Sequence, residues 1–452
     1  MENAPSPKSH LRAILILGLP LVGSHVAQFS INLVDAVMLG WYGVDELAAE
    51  VLAGTMFFVL FIVGSGFAFA VMPMVAKAEA AGDLQRVRRV TRMGMWLATG
   101  FGLLAMPVFL FATPILIALG QNPDIAELAG QYLTIIGWSI FPALLVMVLK
   151  SYLAALERTR VVLLITLAGL ALNAVLNYAL IFGNWGAPEM GIRGAAITSL
   201  LGALFSLVLL VWYVMRVTPE HAMFQRIWRP DWQAIGAVFR LGWPIGITNL
   251  AEVGLFAASS VMMGWLGTVP LAAHGIAMQI ASMTFMVHLG LSNAATIRAG
   301  QALGRQDAFG LKRGARVVIA LSLALSLLMA ATFLLAPQTL IGAFLSPDDP
   351  ARSAVIALGT GLLAAAALFQ LVDAAQVIAL GLLRGVQDTR IPMLIAGLSY
   401  WGIGLTSAYI LGFVLDWQGI GVWIGLAIGL TAAAVLMMWR FWSVAVKQIP
   451  AT

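Results

Sequence analysis

Twelve long apolar stretches, separated by short polar connections, decide where this chain can fold. Each has about 20 residues or more, enough for an α-helix to cross a hydrocarbon layer about 30 Å thick. Hydrophobic residues make up 61% of the chain and charged residues only 10%, against roughly 45–50% and 25% in soluble proteins. The short alternating strands of an outer-membrane barrel do not fit this spacing. We therefore predict an all-α integral membrane protein with spans at about 12–39, 48–76, 93–114, 131–155, 161–183, 193–216, 238–265, 275–301, 315–337, 355–383, 391–413 and 419–443.

The basic residues fall almost entirely on one side of these spans. Of the 25 Lys and Arg residues, only Arg193 and Arg352 lie in odd-numbered connections. The other 23 lie in the N-terminal segment and the even-numbered connections. By the positive-inside rule, this asymmetry predicts that both termini are cytoplasmic. The net charge of +5 therefore indicates orientation in a lipid bilayer, and we expect no nucleic-acid partner.

An internal repeat runs through the chain with an offset of 224 residues. Residues 18–49 align without a gap with residues 242–273, and the same register matches Gly66 with Gly290. Apolar composition alone would produce scattered identities, but not matched proline, glycine, tryptophan and charged positions in one register. Each half contains six spans, and because six is even, both halves enter the membrane in the same direction.

The repeat predicts the domain organisation. We expect an N-terminal six-helix lobe at 1–216, a cytoplasmic inter-lobe linker at 217–237 and a C-terminal six-helix lobe at 238–452. The two lobes would be parallel and related by a pseudo-two-fold axis along the membrane normal. Two such lobes flanking a central cleft are the architecture of an alternating-access transporter, although a duplicated scaffold without transport has the same pattern.

Several kinds of chemistry have no motif in this sequence. No Gly-Lys dipeptide occurs, which excludes a Walker A phosphate loop, and the chain has no cysteine. The glycine-rich segment GIGVWIGLAIG at 419–429 follows no strand, so it indicates close helix packing rather than dinucleotide binding. We therefore expect neither an enzyme nor a cofactor, and any uphill movement must be driven by an ion gradient.

Three carboxylates lie well inside predicted spans: Asp35, Glu252 and Asp373. A carboxylate at mid-bilayer is costly, so it normally faces a cavity and has a function, although a structural contact between helices is the alternative. Glu252 lies roughly 18 Å below the outer end of its span, and Asp373 roughly 16 Å above the inner end of its own. Because both are near the midplane and belong to one lobe, we expect them to meet.

Asp35 lies only about 8 Å below the outer end of the first span. Asn173 and Asn177 share one face of the fifth span and reach a similar depth, as do Thr198 and Ser199 in the sixth. A carboxylate, two amides and a hydroxyl at one level predict an oxygen-rich site for a monovalent cation such as Na⁺. The asparagines could instead form interhelical hydrogen bonds, and either hydroxyl could bond to its own preceding turn.

Three other side chains are candidates for roles in movement or binding. Pro20 and Pro244 occupy matched positions in the first and seventh spans, where they predict kinks and are candidate hinges. Phe285 in the eighth span is expected to line the cleft of the C-terminal lobe.

The segments that carry these residues resemble the multidrug and toxic compound extrusion (MATE) family, in its NorM-like bacterial branch. The motif V-D-x-x-M-x-G begins at Val34, and the motif L-R-G-x-x-D-T-R begins at Leu383. The resemblance extends over about 10–445. It implies a V-shaped twelve-helix exporter of organic cations, driven by Na⁺ or H⁺, in the bacterial cytoplasmic (inner) membrane.

The resemblance also implies roles for individual residues. Some relatives have tyrosine at the position of Phe285, and the direct match to the family's threonine in the sixth span is Ser199. Na⁺ is expected at the N-lobe residues or at the C-lobe acids. The N-lobe set is Asp35, Asn173, Asn177 and Thr198 or Ser199, and the C-lobe pair is Glu252 and Asp373.

The function that fits best is a secondary antiporter that expels lipophilic cationic drugs and dyes in exchange for Na⁺ or H⁺, acting as a monomer in the bilayer. The alternative is a lipid-linked oligosaccharide flippase, which relatives of this fold perform. A flippase that handles pyrophosphate would need basic residues in its cavity. The sequence instead predicts that the buried charges are all acidic, which favours the antiporter.

Overall fold

A computed structural model of the chain describes residues 7–347 and 350–448, and every regular element in these ranges is helical. Short 3₁₀ turns connect several helices, and π-helical segments at Leu398–Leu405 and Ile410–Val414 flank α15. The predicted all-α class is confirmed. The α-helices are α1 (Pro7–Tyr42), α2 (Val44–Ala80), α3 (Leu84–Leu110), α4 (Ala112–Ala118), α5 (Pro123–Ile136), α6 (Ile140–Ala155), α7 (Thr159–Phe182), α8 (Ile192–Val217), α9 (Trp232–Leu266), α10 (Thr268–Gly304), α11 (Ala308–Leu335), α12 (Pro337–Gly342), α13 (Arg352–Gly385), α14 (Arg390–Gly397), α15 (Thr406–Tyr409) and α16 (Gln418–Ser443).

Twelve helical segments among the described residues are long and apolar enough to cross a membrane, as the sequence predicts. α5 and α6 together form the fourth segment, and α14, α15 and the π-helical turns form the eleventh. Several helices extend beyond the predicted spans. α2 and α10 have 37 residues each, about 55 Å at 1.5 Å per residue, so their polar ends continue past the hydrocarbon layer. The chain is a multi-pass membrane protein.

Contacts divide the chain into two compact units. We call residues 23–246 the N-unit, and residues 7–22 together with the described part of 247–452 the C-unit. The two changes of unit follow Val22 and Gly246, which are 224 residues apart and therefore equivalent in the repeat. The first segment of each repeat thus belongs to the unit that the other repeat builds.

This division differs from the lobes predicted at 1–216 and 238–452, whose outermost residues, 1–6 and 449–452, lie outside the described ranges. The predicted linker, 217–237, belongs to the N-unit. Helical periodicity identifies the apolar stretches but contains no information about which neighbour each stretch packs against. The repeat therefore predicts which positions of the two halves are equivalent, but not which helices pack together. The lobe boundaries derived from it stay a prediction.

In the C-unit, the first segment of α1 packs closely on α10. A Cβ atom added at Gly290 would lie 2.5 Å from Cγ2 and 2.6 Å from the backbone nitrogen of Val22. A Cβ added at Gly18 would lie 3.2 Å from a methyl group of Leu291. The backbones of α1 and α10 can approach this closely because glycine has no side chain.

The N-unit contains the equivalent contact between α2 and the first segment of α9. A Cβ added at Gly66 would lie 2.5 Å from the carbonyl oxygen of Gly242 and 2.5 Å from the nitrogen of Gly246. Phe67 stacks on Phe239, with ring centroids 5.7 Å apart. The matched glycines of the repeat, Gly66 and Gly290, therefore serve the same purpose in the two units.

The segment between α8 and α9 is anchored to α3. Arg89 forms an ion pair with Asp231, and Arg92 donates to the carbonyl oxygens of Met223 at 2.7 Å and of Ala222 at 2.9 Å. The Arg89 guanidinium holds the pKa of the Asp231 carboxyl below its usual value. The predicted linker is thus an ordered part of the N-unit.

The glycines of α16 pack against the π-helical span. A Cβ added at Gly425 would lie 2.2 Å from the backbone of Ala408, and one at Gly429 would lie 2.5 Å from Cα of Gly404. The prediction that this segment mediates close helix packing is confirmed.

Candidate ion and substrate sites

The N-unit has a buried carboxylate held by amide groups. Asp35 on α1 is 5% exposed. Its Oδ1 atom accepts hydrogen bonds from Nδ2 of Asn173 at 2.9 Å and from Nδ2 of Asn177 at 2.5 Å. Ser199 on α8 also interacts with the same carboxyl group. We call Asp35, Asn173, Asn177 and Ser199 the N-unit site, and the structure brings together these four of the residues that the sequence placed at one depth.

Two buried oxygen atoms of the candidate residues in the N-unit have no hydrogen-bond partner: Oδ1 of Asn177 and Oγ1 of Thr198. Thr198 is fully buried, whereas Ser199 is partly buried and interacts with Asp35. The two hydroxyl candidates therefore have different environments. An unpaired buried oxygen costs free energy unless something binds it, so both atoms are available to a ligand.

Two further residues of the N-unit belong to this environment and were not identified from the sequence. Tyr132 on α5 is buried and interacts with Ser199 and, electrostatically, with Asp35. Glu50 on α2 also interacts with Asp35. Glu50 lies near the start of the predicted span at 48–76, where an acidic residue is ordinary. Glu50 could have been found in the sequence by comparing its depth below the outer surface with that of Asp35.

The C-unit has a second acidic pair. Asp373 on α13 is 2% exposed and interacts electrostatically with Glu252 on α9. Phe256 and Phe369, each four residues from one of these acids, form an edge-to-face pair with centroids 5.9 Å apart. Since a spacing of four residues keeps side chains on one helix face, this ring contact places the two acids on facing surfaces of α9 and α13.

One oxygen atom of each acid in this pair has no protein donor. Oε1 of Glu252 and Oδ1 of Asp373 are buried and have no hydrogen-bond partner. Gln376, one turn along α13, donates to the hydroxyl of Tyr400 at 2.6 Å, and its own Oε1 is also unpaired. We call Glu252, Asp373, Gln376 and Tyr400 the C-unit site. Neither Gln376 nor Tyr400 was identified from the sequence, because neutral polar and aromatic residues are common in membrane helices.

The expectation that the buried charges are all acidic is wrong. Arg384 on α13 is only 8% exposed, donates to Oδ1 of Asn249 at 2.7 Å and interacts electrostatically with Glu252. The sequence placed Arg384 just outside the span at 355–383, where an arginine would reach the membrane surface. The structure continues α13 to Gly385 and packs this end of the helix inside the C-unit.

The remaining candidates lie apart from the acids in the chain. Phe285 on α10 is partly exposed, while its neighbour Thr284 donates to Oε1 of Gln370 at 2.5 Å. Pro20 and Pro244 lie inside the continuous helices α1 and α9. Each precedes a change of contact unit by two residues. Their role as hinges stays a prediction.

The donors at both sites are oxygen atoms. Within the described ranges, no three His, Cys, Asp or Glu side chains cluster as a transition-metal site would require. Carboxylate, amide and hydroxyl oxygens suit hard cations instead. Both sites can therefore bind a small monovalent cation or a proton, or face the positive charge of an organic cation.

Comparison with known proteins identifies the family. The MatE family model matches residues 20–179 and 244–410. The chain is 48% identical over 435 residues to the "Probable multidrug resistance protein NorM" of Rhizobium meliloti (strain 1021), covering 96% of this chain and 93% of that protein. It is 47% identical over 446 residues to the protein of the same name from Agrobacterium fabrum (strain C58), covering 97% and 96%.

A solved structure of similar fold is that of the eukaryotic MATE transporter AtDTX14. Its TM-score is 0.87 at 18% sequence identity, and the match covers 98% of both chains. The helices of the present chain therefore have the fold of a MATE transporter. With two matches of the family model and full-length relatives at nearly half identity, the chain belongs to the MatE family.

Proposed function

We propose that the protein is a secondary antiporter that exports lipophilic organic cations in exchange for Na⁺ or H⁺ by alternating access. The observation that carries this proposal is that each contact unit contains a buried carboxylate site with unpaired oxygen atoms. Relatives that share nearly half of the sequence are named as probable multidrug resistance proteins. The proposal involves no catalytic step and no cofactor.

The N-unit site suits a small coupling ion. In the present state, two amide NH₂ groups point at Asp35 and stabilise its negative charge. Rotation of an asparagine amide about its last side-chain bond exchanges Nδ2 for Oδ1. A bound Na⁺ would then be met by carboxylate and amide oxygens, and by the unpaired hydroxyl of Thr198. A proton on Asp35 would neutralise the same charge without the rotation.

The C-unit site suits exchange between cations. Two carboxylates in a low-dielectric environment cannot both ionise cheaply, so one of their charges must be neutralised or balanced. A proton, a metal cation and a cationic drug are alternative ways to do this. Because the proton, the metal cation and the drug compete for the same negative charge, binding of one cation favours release of another. A difference in the affinity of each cation for the two conformations of the transporter then drives transport.

The lipid-linked oligosaccharide flippase remains the second proposal for this fold. Buried Arg384 provides one basic group in the C-unit. However, Glu252 and Asp373 outnumber it, so the ionised cluster is still acidic and would repel a pyrophosphate group. The charge balance therefore supports the antiporter over the flippase.

We also propose a location and a transporting unit. The basic connections support cytoplasmic termini in a bacterial inner membrane, although the terminal residues 1–6 and 449–452 lie outside the described ranges. Each candidate site is built from helices of a single chain. A monomer is therefore sufficient for transport.

The test is efflux from proteoliposomes that contain the purified full-length protein. Ethidium movement would be followed by fluorescence with an imposed Na⁺ gradient, an imposed pH gradient, or neither. We expect one of the gradients to drive ethidium movement, and an anionic dye of similar size to move far more slowly. Equal rates for the two dyes, or no movement under either gradient, would refute the proposal.

A further inference from the structure

The guanidinium of Arg384 is buried inside the C-unit, and one of its hydrogen bonds goes to a neutral side chain. Arg384 is 8% exposed, and its NH2 atom lies 2.7 Å from Oδ1 of Asn249. An amide oxygen accepts the hydrogen bond but does not balance the charge. A buried guanidinium also requires a negative charge nearby, because the cost of leaving it uncompensated is several kcal/mol.

The geometry of α9 identifies that negative charge. Asn249 and Glu252 are three residues apart on α9, and such side chains lie on one face with Cβ atoms about 5–6 Å apart. A guanidinium bound at Asn249 is therefore within about one helical turn of Glu252. The electrostatic interaction between Arg384 and Glu252 agrees with this placement.

The acidic pair has more charge than Arg384 can balance. Glu252 and Asp373 together carry two negative charges when ionised, and Arg384 carries one positive charge. Oε1 of Glu252 and Oδ1 of Asp373 are buried without a protein hydrogen-bond donor, so these oxygens are candidates to be neutralised by a second cation. When all three groups are ionised, Glu252, Asp373 and Arg384 therefore carry a net charge of −1, which one further cation would neutralise.

We propose that Arg384 is a resident counter-cation of the Glu252–Asp373 pair, which limits the C-unit site to one transported positive charge and keeps that cation weakly enough bound to be released. This inference rests on the proposed antiport function, which requires the site to bind and release cations in each cycle. Arg384 acts through the carboxylates and is a positioning residue, not a ligand of the transported cation.

The internal repeat supplies a matched control. The position equivalent to Asn249 is His25, and that equivalent to Glu252 is Gln28. Lys150 on α6, in the N-unit, interacts electrostatically with His25. A basic residue thus faces the equivalent turn of the first helix, but with a glutamine in place of the carboxylate. Removal of the Lys150 charge should therefore leave cation binding unchanged.

The experiment measures equilibrium binding of ethidium and of ²²Na⁺ to the purified full-length protein, together with ethidium efflux from proteoliposomes. Removing a unit charge about 7 Å from the site should tighten ethidium or Na⁺ binding roughly tenfold to a hundredfold at an effective dielectric near 20. We expect this for Arg384→Gln, together with slower turnover because release is slower. Arg384→Lys should resemble the wild type, as should Lys150→Gln. The double variant Glu252→Gln/Arg384→Gln should return the affinity toward the wild-type value.

A second variant keeps the test decisive if Arg384→Gln does not fold. Asn249→Asp has nearly the same shape, retains Arg384 and gives the guanidinium a carboxylate partner of its own. It should also tighten cation binding, because the Glu252–Asp373 pair loses its share of the positive charge. A merely structural role for Arg384 predicts weaker binding or none in Arg384→Gln and no tightening in Asn249→Asp.

The outcomes separate this inference from the proposed function. If the wild type binds cations and transports them, but neither variant binds them more tightly, the counter-cation role is wrong and the antiporter proposal stands. If the wild type binds neither ethidium nor Na⁺, both proposals are wrong.

Discussion

Replacement of Asp35 by asparagine separates the charge of the N-unit site from its shape. Both asparagine donors reach the same atom, Oδ1 of Asp35. An amide oxygen at that position can accept the same two hydrogen bonds, so the variant should keep the packing of α1 against α7. What it loses is one negative charge.

The magnitude of that loss follows from Coulomb's law. A monovalent cation about 4 Å from a carboxylate gains roughly 4 kcal/mol at an effective dielectric of 20. Loss of this term should weaken cation binding at the N-unit site roughly a thousandfold. By contrast, a charged aspartate inside a membrane helix opposes insertion, by roughly 2.5–3.5 kcal/mol at the helix centre and by less near an end such as that of Asp35. The variant should therefore insert at least as well as the wild type.

The assay compares three quantities in the same preparations: the amount of protein in the membrane, the midpoint of thermal unfolding, and the rate of ethidium efflux. We expect normal membrane levels and an unchanged or higher unfolding midpoint, with efflux abolished or severely weakened. Asp45→Asn, the same chemical change at an exposed position in the first turn of α2, should retain full efflux. Full drug resistance in cells that express the Asp35→Asn protein normally would show that Asp35 is only structural.

Three further predictions concern the C-unit and the anchored linker. Glu252→Gln and Asp373→Asn should each impair efflux, and the double variant should be little worse than either, because the two acids act as one site; strictly additive losses in log efflux rate would contradict this. Gly290→Ala should lower the stability of the purified protein by roughly 1–3 kcal/mol, because the added methyl group overpacks against α1. Gly275→Ala on the same helix, where an added Cβ meets nothing within 4 Å, should be neutral or stabilising. Equal unfolding midpoints for the two variants would refute the close contact. Asp231→Asn should cost no more than about 1 kcal/mol at neutral pH, because the pair with Arg89 is partly exposed. Since this carboxyl has a lowered pKa in the folded protein, its contribution should be present at neutral pH and disappear as the pH falls below the ordinary aspartate range; an effect that persists in acid would contradict the assignment.

The sequence was sufficient for the spans and for the buried acids because both have a large physical signal. A helix that crosses lipid needs about 20 apolar residues, and a carboxylate inside such a run is unusual enough to indicate function. The i, i+4 spacing then linked Asn173 to Asn177, and the structure places both on Asp35.

Residues without such a signal could not be predicted. Tyr132, Gln376 and Tyr400 are uncharged, and their partners lie on other helices, which periodicity does not identify. Arg384 is charged but lies at a span end, where burial and exposure look the same in sequence. The choice between Thr198 and Ser199 depends on helix rotation, which differs by about 100° between neighbouring residues.

The contact between α1 and α10 has a consequence for biosynthesis. Residues 7–22 leave the ribosome well before Gly290 and its neighbours on α10, which contact them and are made about 270 residues later. At about 5–20 residues per second, that delay is roughly 15–50 s. During this interval the leading segment lies in the membrane without its final neighbour, so interruption of translation before α10 leaves a helix that is only half packed. In a single repeat translated alone, the first segment would never meet its packing partner. Two copies would have to exchange their first segments for each to form all of its helix contacts.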